Sequence, residues 1–76
     1  MTKLSEAMVG QKLRVVSVKG ASSAKGRLKE MGLTNGVVLE VVKVAPFGDP
    51  IDVLVRGYHL SIRKKEAEFI EVEVVS

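Results

Sequence analysis

Apolar residues recur along this chain mostly at every second position, in short runs separated by glycine, proline and serine. That period marks β-strands half-buried in a sheet. Lys12–Lys19 (KLRVVSVK) reads as the first strand. Leu13, Val15 and Ser17 take one face, and Arg14, Val16 and Val18 the other. The mixed pattern implies partial cover on both sides. Val37–Val44 (VVLEVVKV) has only Glu40 and Lys43 as polar positions, which predicts a strand buried on both faces. Ile51, Val53 and Val55 then alternate with Asp52 and Leu54, and Tyr58, Leu60 and Ile62 alternate with His59, Ser61 and Arg63. The inward parity changes from odd to even across Arg56-Gly57. A two-residue hairpin turn produces this register, with Val55 and Tyr58 as flanking partners. Ile70, Val72 and Val74 alternate with Glu71 and Glu73 in a last strand.

Between the strands the period changes. Leu4, Ala7 and Met8 are spaced for one helical turn that Gly10 ends. After a loop at Gly20-Ala21-Ser22-Ser23, a short helix is predicted over 23–31. Ser22 or Ser23 offers a hydroxyl cap, and Ala24, Leu28 and Met31 form one apolar stripe. Lys25, Arg27 and Lys29 fall off the stripe, towards water. Gly32 suits the left-handed position just past the helix, with Leu33 closing back on the last turn. Nine residues are too few for a free helix, so this one must dock on the sheet. Asn35-Gly36 and Arg56-Gly57 supply turns, which makes Gly32, Gly36 and Gly57 structural turn residues. Lys64–Glu68 reads as a charged turn or a short helical turn.

Five short strands and one short helix after the first define an all-β fold. The reading is a small SH3-like five-stranded barrel with one short inserted α-helix, because closure removes exposed sheet edges. An OB-like barrel is the alternative, but its helix usually falls between the third and fourth strands.

Composition narrows the class. The 76 residues form a single domain, 1–76, with stability on the order of 4–11 kcal/mol. Fourteen Val and three Ile against three aromatics favour sheet. Without cysteine there is no disulfide framework and no thiolate-held metal, so apolar packing must hold the core. The N-terminus has no apolar run of a signal peptide, and no stretch is long enough to span a bilayer. The expectation is an intact cytoplasmic chain without direct membrane insertion. The net charge of +3 divides into +5 over 1–35 (seven Lys/Arg, two Glu) and −2 over 36–76 (five Lys/Arg, seven Asp/Glu). A basic first half could meet an anionic partner or simply keep the domain soluble.

The candidate chemistry is sparse. His59 is the only histidine, and Ser61 lies two residues away on the same, outward strand face, with nothing to orient or activate either. Asp49 and Asp52 bracket a loop, and Glu66 and Glu68 share a turn. Neither pair matches a ligand spacing, so no metal site and no cofactor are expected. There is no phosphate-binding Gly-rich loop. Lys25, Arg27 and Lys29 could touch phosphates, but no aromatic platform stands near them, so no specific nucleic acid is expected. The best interaction candidate is the loop Pro46-Phe47-Gly48-Asp49-Pro50. Its prolines limit the entropy lost on binding, and Phe47 at its tip is an anchor type or else a plug for one barrel end. Leu33 and Tyr58 could border an apolar groove beside it.

Gly26-Arg-Leu-Lys-Glu-Met-Gly-Leu33, Gly36, Ala45-Pro-Phe-Gly-Asp-Pro-Ile51, Leu60-Ser-Ile-Arg-Lys-Lys-Glu-Ala67 and Ile70-Glu-Val72 together resemble the FeoA family, as does Leu4-x-x-Ala7-x-x-Gly10. FeoA is the small cytosolic component of bacterial ferrous-iron transport, and the same module ends iron-dependent repressors. The resemblance implies an SH3-like barrel and no catalysis. It implies a partner, the FeoB-type membrane GTPase transporter, and a place at the inner membrane face through it. It also brings an association with transition-metal ion binding. The partner-binding residues expected are Leu33, Pro46, Phe47, Gly48, Asp49, Pro50 and Tyr58. A nucleic-acid or repressor-type module and a weak metal-binding domain are the alternatives.

Overall fold

The computed structural model describes residues 2–20 and 22–75, with the side chains of Ser22, Ser23 and Ala24 left aside. The Ser22 or Ser23 cap and the Ala24 end of the helix stripe lie outside the described side chains. The strands are β1 (Thr2–Lys3), β2 (Lys12–Val18), β3 (Val38–Val44), β4 (Ile51–Val55), β5 (Tyr58–Ile62) and β6 (Ile70–Val74). The helices are α1 (Ser22–Glu30) and α2 (Lys64–Ala67), and a 3-10 turn covers Leu4–Glu6. Every strand pairing is antiparallel, in the order β1-β6-β2-β3-β4-β5.

Inward residues of β2 to β6 join Leu4, Leu28 and Leu33 in one buried cluster. Six strands lying flat would spread over about 24 Å, too far for a shared core, so the sheet curls around it. The hydrogen-bonded order nonetheless begins at β1 and ends at β5. The expected removal of edges by closure is therefore corrected: two edges remain. The sixth strand, β1, is two residues long and pairs with β6. The expected helical turn over Leu4–Met8 contracts to its first residues. Leu4 is fully buried while Met8 points to water.

Two β-bulges decide which residues face inward. The register shifts between Val15 and Ser17, so Val18 joins Leu13 and Val15 in the core. Simple alternation had assigned Val18 to the opposite face; one extra residue reverses the parity beyond it. β3 carries a second shift between Val41 and Lys43. Its burial is one-sided, against the two-sided expectation: Val37, Leu39 and Val41 are buried, and Val38 and Val42 are exposed. Valine fits a strand even where its outer face is wet.

The turns follow the glycine chemistry. The Gly32 N–H donates to Lys29 O at 2.9 Å and the Leu33 N–H to Leu28 O at 3.0 Å, with Gly32 at φ +92°. This pair of hydrogen bonds closes α1 as a Schellman motif. Val55 pairs with Tyr58 across Arg56 (φ 50°) and Gly57 (φ 83°), which is the two-residue hairpin read from the parity switch.

Candidate interaction surface

The loop between β3 and β4 is tied at its base and bare at its tip. Ala45 N–H donates to Pro50 O at 3.1 Å and Gly48 N–H to Ala45 O at 2.7 Å. Asp49 Oδ1 accepts the Lys64 N–H at 3.0 Å, so the loop is fastened to the first turn of α2. Asp49 thus has a structural duty that sequence reasoning did not assign. Phe47 is 95% exposed, which excludes the barrel plug and leaves the aromatic ring presented to solvent.

Leu33 is corrected. It is 0% exposed, because closing a Schellman motif carries its side chain onto the helix it ends. Tyr58 is corrected in part. It keeps the predicted register but, at the hairpin tip beyond the core, is 72% exposed. It borders a groove of about 340 Å³ with Glu30, Met31, Gly32, Val55, Arg56, His59 and Leu60. The expected continuous surface is split: Tyr58 and Gly32 lie at the Val55 end of the β4–β5 hairpin, whereas the Pro46–Pro50 loop lies at its Ile51 end. A five-residue strand, about 13–17 Å, separates them.

The His59 and Ser61 side chains lie with Lys43, Ala45, Pro50 and Asp52 around a shallow hollow of about 410 Å³. His59 Nδ1 is 3.9 Å from Asp52 Oδ1, beyond hydrogen-bond range. Among the described residues no three His, Asp or Glu side chains gather as metal ligands do. Arg27 Nε reaches Glu66 Oε2 at 3.3 Å and links α1 to α2. Lys25 and Lys29 flank another hollow with Ser17, Thr34 and Asn35, and the Leu33 position forms part of its wall. Lys19 Nζ lies 2.5 Å from Glu71 Oε1, and this hydrogen bond, reinforced by the charge of Lys19, holds the Glu71 carboxyl below its ordinary pKa. Among the described residues no helix is long and apolar enough to cross a membrane.

Sequence reasoning also missed Gly20. It sits at φ +105°, and a Cβ there would meet the Phe69 ring at 2.9 Å. A glycine just past a strand was the signal available, but its distant partner was not.

Fold and surface together define a small SH3-like β-barrel whose distinctive features are exposed aromatics and an open strand edge. The chain belongs to the FeoA domain family, whose model matches residues 2–74. It is 36% identical over 74 residues to an Fe(2+) transport protein A/Fe(2+) transporter FeoB fusion protein of Porphyromonas gingivalis. That match covers 97% of this chain and 9% of the relative, so the chain spans about a tenth of the relative's length. The solution structure of FeoA from Chlorobium tepidum superposes with a TM-score of 0.89 at 40% identity, covering 99% of this chain and 71% of that one. The zinc complex of Stenotrophomonas maltophilia FeoA, a prokaryotic SH3-domain protein, superposes at 0.82 with 27% identity, covering 96% and 91%.

Proposed function

We propose that this chain is a non-catalytic accessory protein of ferrous-iron uptake. It docks on the cytosolic GTP-binding region of a FeoB-type membrane transporter, at the inner face of the membrane. The observation that carries this reading is the near full-length match to a domain that a relative holds in one polypeptide with its transporter. Fusion makes a pairing intramolecular and raises its effective concentration, which suits an interaction that is weak between separate chains. The exposed Phe47 on a fastened loop supports a docking role, since an aromatic in a pre-set turn loses little entropy on binding.

The test is titration of the transporter's isolated cytosolic region with this domain by calorimetry. Saturable binding in the micromolar range or weaker is expected, and absence of binding at millimolar concentration rejects the reading. A DNA titration runs in parallel. Only weak, salt-sensitive and sequence-independent association is expected, and a tight sequence-specific complex would move the protein to the repressor class.

A further inference from the structure

Among the described residues β5 ends the sheet and pairs only with β4. In a two-residue hairpin the flanking pair exchanges both main-chain hydrogen bonds, and bonded and non-bonded pairs alternate beyond it. With Val55 and Tyr58 flanking the turn, Tyr58, Leu60 and Ile62 direct their main-chain groups to β4. His59 and Ser61 direct theirs away from the sheet. Among the described residues no other hydrogen bond reaches them.

Proteins usually blunt such an edge with lysine, proline, a bulge or short length. The opposite edge follows that rule: β1 has two residues, one of them Lys3. β5 has five residues in unbroken register, with no lysine, proline or bulge. It is left in a condition to pair.

The surroundings specify the occupant. On one side of the edge, Tyr58 and Leu60 border the groove that Met31 and Val55 also line. At the ends stand cations: Arg56 in the turn, and Arg63, Lys64 and Lys65 just after the strand. All four are exposed, and none is in an ion pair among the described residues. A second copy paired antiparallel about Leu60 would set Arg56 of one chain against Lys64 of the other, and opposed like charges destabilise a strand pair. Glu30 on the groove rim keeps added carboxylates out of the groove itself. An extended segment, apolar at its centre and acidic at both ends, satisfies the main-chain groups, the groove and the charges together.

We propose that β5 accepts an added β-strand: an extended, acidic-flanked apolar segment contributed by the partner protein. This deepens the docking role proposed above and rests on it. Main-chain bonds from His59 and Ser61 supply the pairing, and the groove selects the side chains.

The ¹⁵N-labelled domain is titrated with a synthetic peptide that has an alternating valine–threonine centre and glutamates at both ends. A control peptide carries lysines at the ends. Amide exchange at His59 and Ser61, fast in the free domain, should slow by about tenfold or more on binding, with Tyr58, Leu60 and Ile62 little changed. The lysine-ended peptide should bind about tenfold more weakly at low salt. Ser61→Pro removes an outward N–H and no bond to β4, so it should abolish protection at His59 in a folded domain. Should that variant fail to fold, Ser61→Glu adds a carboxylate to the same edge and leaves the backbone intact. It should weaken binding of the glutamate-ended peptide and narrow its advantage over the lysine-ended one, read by His59 protection, and unchanged binding of both peptides overturns the proposal. Unprotected amides at saturating peptide overturn the proposal. Equal binding of the lysine-ended peptide overturns it, and so does protection that grows with protein concentration alone, which would mean self-pairing. The same amides are then followed with the transporter's cytosolic region. Binding that leaves them unchanged rejects the strand edge and keeps the docking role. A peptide that pairs where that region does not bind keeps the edge and rejects the transporter as partner.

Discussion

Gly20 and Phe69 show how a single side chain can be committed by a distant neighbour. At φ +105° and with the Phe69 ring 2.9 Å from where a Cβ would stand, Gly20→Ala meets both backbone strain and overlap. It should cost about 1–3 kcal/mol in urea unfolding, and an unchanged midpoint would show that the ring simply moves aside. Leu33 and Phe47 behave in opposite ways. Leu33→Ala removes a fully buried side chain and should cost about 2–5 kcal/mol of stability. Phe47→Ala removes a solvent-facing ring and should change stability by no more than about 0.5 kcal/mol. If Phe47 anchors the transporter's cytosolic region, the same substitution weakens binding by about 2 kcal/mol, and full affinity in calorimetry places the contact elsewhere.

Between elements, a few polar contacts join pieces that apolar packing alone leaves loose. Asp49 fastens the β3–β4 loop to α2, while Glu66 accepts the Arg63 N–H at 3.3 Å and reaches Arg27 of α1. Asp49→Ala frees a first-turn N–H and should cost about 0.5–2 kcal/mol, seen as faster amide exchange at Lys64. The Lys19–Glu71 pair joins the end of β2 to β6 and lowers the Glu71 pKa, first through its hydrogen bond and then through charge. A carboxyl lowered on folding stabilises above its unfolded pKa, and the gain is lost as pH falls through the folded value. Lys19→Gln should therefore lower the urea midpoint slightly at neutral pH and match the parent below the carboxylate range. The difference is small because Lys19 is mostly in water. Equal midpoints at every pH would show that the pair adds nothing.

At the scale of the molecule, one apolar cluster spans the curled sheet and α1, and among the described residues its buried members are all hydrophobic. Such a core is expected to hold without a metal. EDTA should leave the melting temperature unchanged, and a drop of more than about 4 °C, roughly 1 kcal/mol for a domain of this size, would reveal a structural ion. The two proposed docking surfaces, the β3–β4 loop and β5, lie at the margins of the open sheet order.

Much of this was decided locally. Alternation located β4, β5 and β6 and the hairpin between β4 and β5, because side-chain period and turn geometry depend on adjacent residues. Gly32 announced the end of α1 for the same reason. The joint order of short motifs pointed to the family that the match over residues 2–74 bears out. What adjacent residues do not encode is how a strand is interrupted or covered. The bulge in β2 reversed inward parity, so Val18 turned out buried, while cover on only one face of β3 left Val38 exposed. Leu33 moved from candidate anchor to core because a cap folds its following residue back onto the helix. Phe47 and Tyr58, each marked by its chemistry, fell at opposite ends of one hairpin, since their separation is set by strand length and register. The unpaired edge of β5 emerged only from the order of all six strands, which depends on every pairing at once.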